Sequence, residues 1–143
     1  MRILGLGLVT ALMILSVMLN TGRAADEKKN IKPVKHWGGI VNDSTKQKAA
    51  PKDGFLATQE SFKKLWTEWG VKGEAPKIDF KTQIVFVQLA SGPNNLGTSY
   101  TLDDNGNLTA LSRQTLKAGP GFGYGIDVVN REGIKTYMGK QLP

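Results

Sequence analysis

The chain contains no cysteine. Disulfides, thiol catalysis, cysteine zinc sites and iron–sulfur clusters are therefore excluded by composition. It has a single histidine, His36, too few imidazoles for a typical zinc centre. No Gly-x-Ser-x-Gly elbow accompanies that histidine, so a Ser-His-Asp triad is not expected and no catalytic residue is assigned. Arginine is scarce beyond residue 24, where only Arg113 and Arg131 occur, and no nucleic-acid motif is present. After Leu19 no apolar run is long enough to span a bilayer.

The one long apolar run is at the start. Met1-Arg2 precedes Ile3 to Leu19, which carries no charge, and Asn20-Thr21-Gly22-Arg23-Ala24 closes on small residues. This is the grammar of a secretory signal peptide over residues 1–24, with cleavage expected after Ala24. The expected location is periplasmic or secreted, with no stable membrane insertion after cleavage. A cysteine-free domain held by its core alone suits a periplasm better than a disulfide-stapled extracellular setting.

The remaining stretch, Ala25 to Pro143, is of ordinary size for one domain. Arg2 and Arg23 leave with the leader, taking the formal charge from +7 to +5. Lys28, Lys29, Lys32, Lys35, Lys46, Lys48 and Lys52 concentrate that excess near the new N-terminus. Residues 25–36 are polar and lysine-rich, and are expected to be a mobile lead-in to a single domain over 37–143.

Within that domain one helix stands out. Thr58 is a good N-cap and Glu60 puts an acid in the first turn. Phe62, Leu65, Trp66 and Trp69 share a face at i, i+3, i+4 and i+7, and Gly70 follows as a stop. At this spacing the tryptophans belong in a core rather than on a ligand platform. Short strands are expected at 37–41 and 54–57, with a turn-rich loop at 42–53. Gln83 to Leu89 reads as a central strand buried on both faces. Strands at 98–102 and 108–116 flank Asp103-Asp104-Asn105-Gly106, where Asn-Gly predicts a type I′ hairpin turn. Two last strands follow at 126–129 and 134–138. One helix among consecutive strands gives an α+β fold, a mostly antiparallel sheet with one amphipathic helix packed on it. Phe62, Leu65, Trp66, Trp69, Ile84, Phe86 and Leu89 are expected at the centre of the core.

Three further patterns bear on chemistry. Asp103 to Asn107 offers oxygen ligands, but not at EF-hand spacing, and turn chemistry explains it better. Gly119 to Gly125 is glycine-rich, yet a proline interrupts it and no βαβ unit surrounds it, so a phosphate cradle is not expected. It reads instead as a tight loop that presents Phe122 and Tyr124. Together with Tyr100 these are the candidate partner-binding residues. Asp79, Asp103 and Asp127 are the acids that a carboxylate-dependent hydrolase would have to bring together. No cofactor-binding or metal residue is assigned.

The run T-Q-E-S-F-K-K-L-W at 58–66, A-P-K-I-D-F-K-T-Q-I-V-F-V at 75–87 and S-Y-T-L at 99–102 resembles the C-terminal domain of the PrcB-like proteins. The resemblance extends from Phe62 to Tyr137, about two-thirds of the exported chain. Where that family shows Gly-Gly-Tyr, this chain has Gly97-Thr98-Ser99-Tyr100. The resemblance implies an exported α+β domain without catalytic residues, acting as an accessory module. Its expected partner is a protein in the cell envelope, such as an envelope protease. The alternatives are a small carboxylate-dependent hydrolase and a protein that binds a glycan or lipid headgroup. A headgroup site would need Trp37, Tyr100 or Tyr124 lining a concavity with lysines. The residues do not specify an oligomeric state.

Overall fold

The elements and their order come from a computed structural model that describes residues 27–143. The leader expected at 1–24 lies outside the described residues. In chain order the elements are β1 (Lys29–Ile31), β2 (Lys35–Val41), a short 3-10 helix (Ser44–Ala49), β3 (Phe55–Leu56) and α1 (Gln59–Glu68). They continue with β4 (Gln83–Ser91), β5 (Leu96–Leu102), β6 (Asn107–Gln114), β7 (Phe122–Asn130), β8 (Thr136–Tyr137) and β9 (Lys140–Gln141).

The strands form two sheets rather than one. The first has the order β2-β7-β4-β3 and the second β1-β5-β6-β8-β9. Every pairing is antiparallel except β6 with β8. The fold is α+β and mostly antiparallel, with the helix packed on the outer face of the first sheet and the second sheet on its inner face.

Local chemistry fixes the helix at both ends. Thr58 is extended, and its side chain accepts from the Ser61 amide at 3.2 Å. At the other end Gly70 turns left-handed at φ 64°. The Gly70 amide then reaches the Thr67 carbonyl and the Val71 amide the Trp66 carbonyl, the paired bonds of a Schellman stop. Between these caps Phe62, Leu65 and Trp66 are buried, and Trp69 closes the same face.

Two cores result, one on each face of the first sheet. Beneath the helix, Phe62, Leu65, Trp66 and Trp69 meet Val85 and Val87 of β4 and Phe122, Tyr124, Ile126 and Val128 of β7. Between the sheets, Ile84 and Phe86 meet Tyr100, Leu108, Val129, Ile134, Tyr137 and Leu142. Side chains alternate across a strand, so β4 serves both cores in turn. Six of the seven expected core residues are buried, but Ile84 and Phe86 lie on the opposite face of the sheet from the helix residues, and Leu89 is only half-buried.

Three expectations need correction. Residues 29–31 are not a mobile lead-in. They pair with Leu102, Thr101 and Tyr100 as an edge strand. The turn at 103–106 is not type I′, because Asn105 does not have positive φ and only Gly106, at 81°, does. The Gly106 amide bonds the Asp103 carbonyl, and the Asp103 side chain accepts from the Asn105 and Asn107 amides. That is a three-residue hairpin with glycine at the left-handed position. Finally, the glycine-rich segment is not a loop beyond residue 121. Phe122 to Asn130 is a central strand, with Phe122 and Tyr124 toward the helix and Gly123 and Gly125 toward the other sheet.

Those glycines mark a close approach. A Cβ on Gly123 would stand 1.7 Å from the Asn94 carbonyl oxygen. Gly123→Ala is expected to lower stability by about 3 kcal/mol, the upper range for overpacking. It should appear as a lower urea midpoint at unchanged m-value. Gly97 has open space around its Cα, so Gly97→Ala is expected to hold or raise stability by up to about 1 kcal/mol.

Candidate functional site

A carboxylate in the middle of β7 organises the interior. Asp127 sits between Ile126 and Val128, which point beneath the helix, so its own side chain points between the sheets. It is 1% exposed. Its cross-strand neighbours are His36 on β2 and Phe86 on β4. Neighbours in register share a face, and the His36 Nδ1 lies 2.6 Å from Asp127 Oδ1. From the second sheet the Tyr100 hydroxyl donates to Asp127 Oδ2 at 2.6 Å.

The chain of polar contacts continues inward. The Gln88 side-chain amide is 2.9 Å from the hydroxyls of both Tyr100 and Tyr137. Tyr100 has one hydroxyl proton, and the carboxylate, which can only accept, takes it. As placed, the Gln88 N–H faces Tyr137 and its carbonyl faces Tyr100; the amide turned over, with its N–H toward Tyr100 and its carbonyl toward Tyr137, satisfies both tyrosines once the Tyr100 proton goes to the carboxylate. No buried side-chain nitrogen or oxygen among the described residues is left without a partner. Burial, and then the bond to Asp127, push the Tyr100 phenol far above its ordinary range. Burial also raises Tyr124 and Tyr137.

At the outer end of this chain His36 is half-exposed. With Nδ1–H directed at Asp127, the ring is held in one orientation with Nε2 turned to the surface beside Gly38. A Cβ built on Gly38 would stand 3.3 Å from that nitrogen. A carboxylate behind an imidazole is the arrangement that orients histidines for proton transfer or ligand contact. No hydroxyl is hydrogen-bonded to His36 and no cluster of three potential metal-ligating side chains occurs among the described residues. The dyad is thus an oriented proton donor or acceptor at the surface, carried by an edge strand.

That strand is the second feature of the site. Among the described residues β2 pairs with β7 alone, so one edge of its seven residues is open. Trp37 holds its helix-side face, with ring centroids 5.2 Å from Trp66 and 6.2 Å from Phe62. Gly38 and Ile40 are exposed on the other face.

Of the residues singled out from sequence, Tyr100 and Asp127 meet in this site and the others lie elsewhere. Tyr100 and Phe122 are each 1% exposed and Tyr124 is 7% exposed, so none presents a ring to a partner. Tyr100 serves instead as a donor inside the polar chain. Phe122 and Tyr124 pack on Trp69 because β7 aims them under the helix. The three acids do not share a site. Asp79 caps its own turn through the Lys81 amide and the Thr82 hydroxyl, Asp103 caps the β5–β6 hairpin, and Asp127 alone is buried. Sequence reasoning set His36 aside and did not connect it to Asp127. An acid inside the apolar run Ile126-Asp127-Val128-Val129 was the available signal, since a buried carboxylate requires a partner.

Comparison of the chain with family models, with curated proteins and with solved structures finds no match.

The tyrosine shifts set a sign for alkaline stability. Below pH 10 both folded and unfolded chains keep the Tyr100 proton. Above it the unfolded chain releases the proton while the folded chain retains it, so stability falls as pH rises. The slope from Tyr100 is expected to approach about 1.4 kcal/mol per pH unit. Urea titrations between about pH 9 and 11 would measure it. Tyr100→Phe should remove that share of the slope. At neutral pH it should cost about 2 kcal/mol, because Asp127 loses a donor.

Proposed function

We propose that this chain is an exported, non-enzymatic accessory module that binds an extended segment of an envelope protein along the open edge of β2. The observation that carries this reading is the edge itself. Seven consecutive residues pair on one side only, and the strand is braced on both faces by Trp37 and His36. An unpaired strand edge offers a row of N–H and C=O groups to an incoming strand. Proline, inward charge or a bulge commonly blunts such edges, and within Lys35–Val41 the one fully ionic side chain is Lys35 at its start. The resemblance of residues 62–137 to the PrcB-like C-terminal domain is consistent with an accessory role, and the sequence of residues 1–24 with export. Aromatic anchoring by Phe122 and Tyr124 has no place in this reading, since both rings are interior.

The test is a displayed library of linear peptides panned on the full chain, followed by amide hydrogen exchange. Selected peptides are expected to slow exchange within residues 35–41. Ile40 is 42% exposed and outside both cores, so Ile40→Glu should leave stability within about 0.5 kcal/mol. It should weaken the selected peptides about tenfold or more by placing a charge against the docked strand. Selected peptides that slow exchange on another element and bind the variant equally would refute the reading.

A further inference from the structure

The border that carries β2 also has a charge of one sign. β1 and β2 are the edge strands of the two sheets, joined by Lys32 to Val34. They lie on the same side of the molecule, since β1 pairs at Tyr100, β2 pairs at Asp127, and those two side chains are bonded to each other. Lys28, Lys29, Lys32 and Lys35 along this segment are all exposed. None has an acidic partner among the described residues, where the ion pairs are His36–Asp127 and Lys140–Asp53. Glu27 is the sole acid from 27 to 41. To these charges the fold adds His36, whose Nδ1 is committed to Asp127 and whose Nε2 is free on the docking strand.

We infer that the segment received by β2 is acidic, and that one of its carboxylates is bound by His36 Nε2 while others lie along the lysines. This rests on the strand-docking reading and names the chemistry of its partner. Binding a carboxylate requires a proton on each ring nitrogen, one shared with Asp127 and one with the incoming group, and the second comes from solvent. The groups that face the ring are Asp127 from β7 directly and Tyr100 from β5 behind it. A lipid headgroup would match the lysines but would leave the edge N–H and C=O groups of β2 unused, which favours a peptide.

The experiment compares an eight-residue peptide of alternating Val and Glu with its Val and Gln counterpart, using the full chain, calorimetry and amide hydrogen exchange. The Glu peptide is expected to bind about tenfold or more tightly at low salt, to lose that advantage as salt rises, and to protect residues 35–41. Replacing Lys28, Lys29, Lys32 and Lys35 together by Gln should remove most of the advantage. His36→Gln keeps an amide donor for Asp127 and should reduce the Glu peptide's advantage while leaving its salt dependence in place. Equal binding of both peptides with protection on β2 would overturn the acidic partner and leave strand docking standing. Failure of both peptides to protect β2 would overturn the docking reading and this inference with it. Lysine-dependent uptake by phosphatidylglycerol vesicles, in preference to the Glu peptide, would assign the border to lipid and also overturn it.

Discussion

The Asp127 carboxylate is the constraint around which the sheets are arranged. Burying an acid to this depth costs several kcal/mol unless its oxygens are satisfied. Its partners come from two strands, and each then makes its own demand. His36 must stand in register on β2, and Tyr100 must reach across from β5. The Tyr100 oxygen in turn needs Gln88 on β4, and Gln88 needs Tyr137 on β8. One buried charge thereby links both sheets. It also pins the register of β2. With two adjacent glycines that strand has little side-chain packing to specify its alignment. A one-residue slip would turn His36 toward the helix and bring Lys35 or Trp37 against the carboxylate.

The apolar packing follows from β4 and β7 being covered on both faces. A strand with one wet face alternates apolar and polar residues. Here Ile84-Val85-Phe86-Val87 is continuous because the helix covers one face and the second sheet the other. On β7 the same demand is met unequally. Large rings at Phe122 and Tyr124 fill the space under the helix, while Gly123 and Gly125 leave room for the chain around Asn94 and Leu96 to approach the opposite face. Trp37, Phe62, Trp66 and Trp69 then complete an aromatic layer, each large ring contributing roughly 1.5–3 kcal/mol by burial.

The helix, its caps and the strand Gln83–Ser91 were legible because period and capping are local signals. Thr58, Gly70 and the face from Phe62 to Trp69 lie within thirteen residues. The partition into two sheets was not legible, since periodicity says which residues are buried but not which strands share a sheet. Lys29–Ile31 is too short and polar to announce a strand, and its pairing with β5 is a long-range fact. The segment Gly121 to Gly125 concealed a strand because glycine carries no polarity signal. The alternation survives there only as ring, glycine, ring, glycine. The site was hidden for a related reason. His36 and Asp127 are 91 positions apart, so nothing local joins the histidine to the acid.

Edge strands are ordinarily a hazard, because an ordered open edge is also a template for unwanted pairing. The bracing of β2 is therefore informative. Trp37 packed against Phe62 and Trp66 on one face, and His36 bonded to Asp127 on the other, hold the backbone still where glycines would otherwise let it bend. For the docking proposed above, a strand that is already ordered would spare the complex the entropy of ordering it, which can decide whether a small contact binds at all. On the docking proposed above, the same bracing would restrict the partner, since the exposed lysines repel basic segments and the oriented imidazole leaves one polar point to be matched. On this view the buried dyad and the open edge are one device. The carboxylate that fixes the fold also fixes the surface that β2 presents.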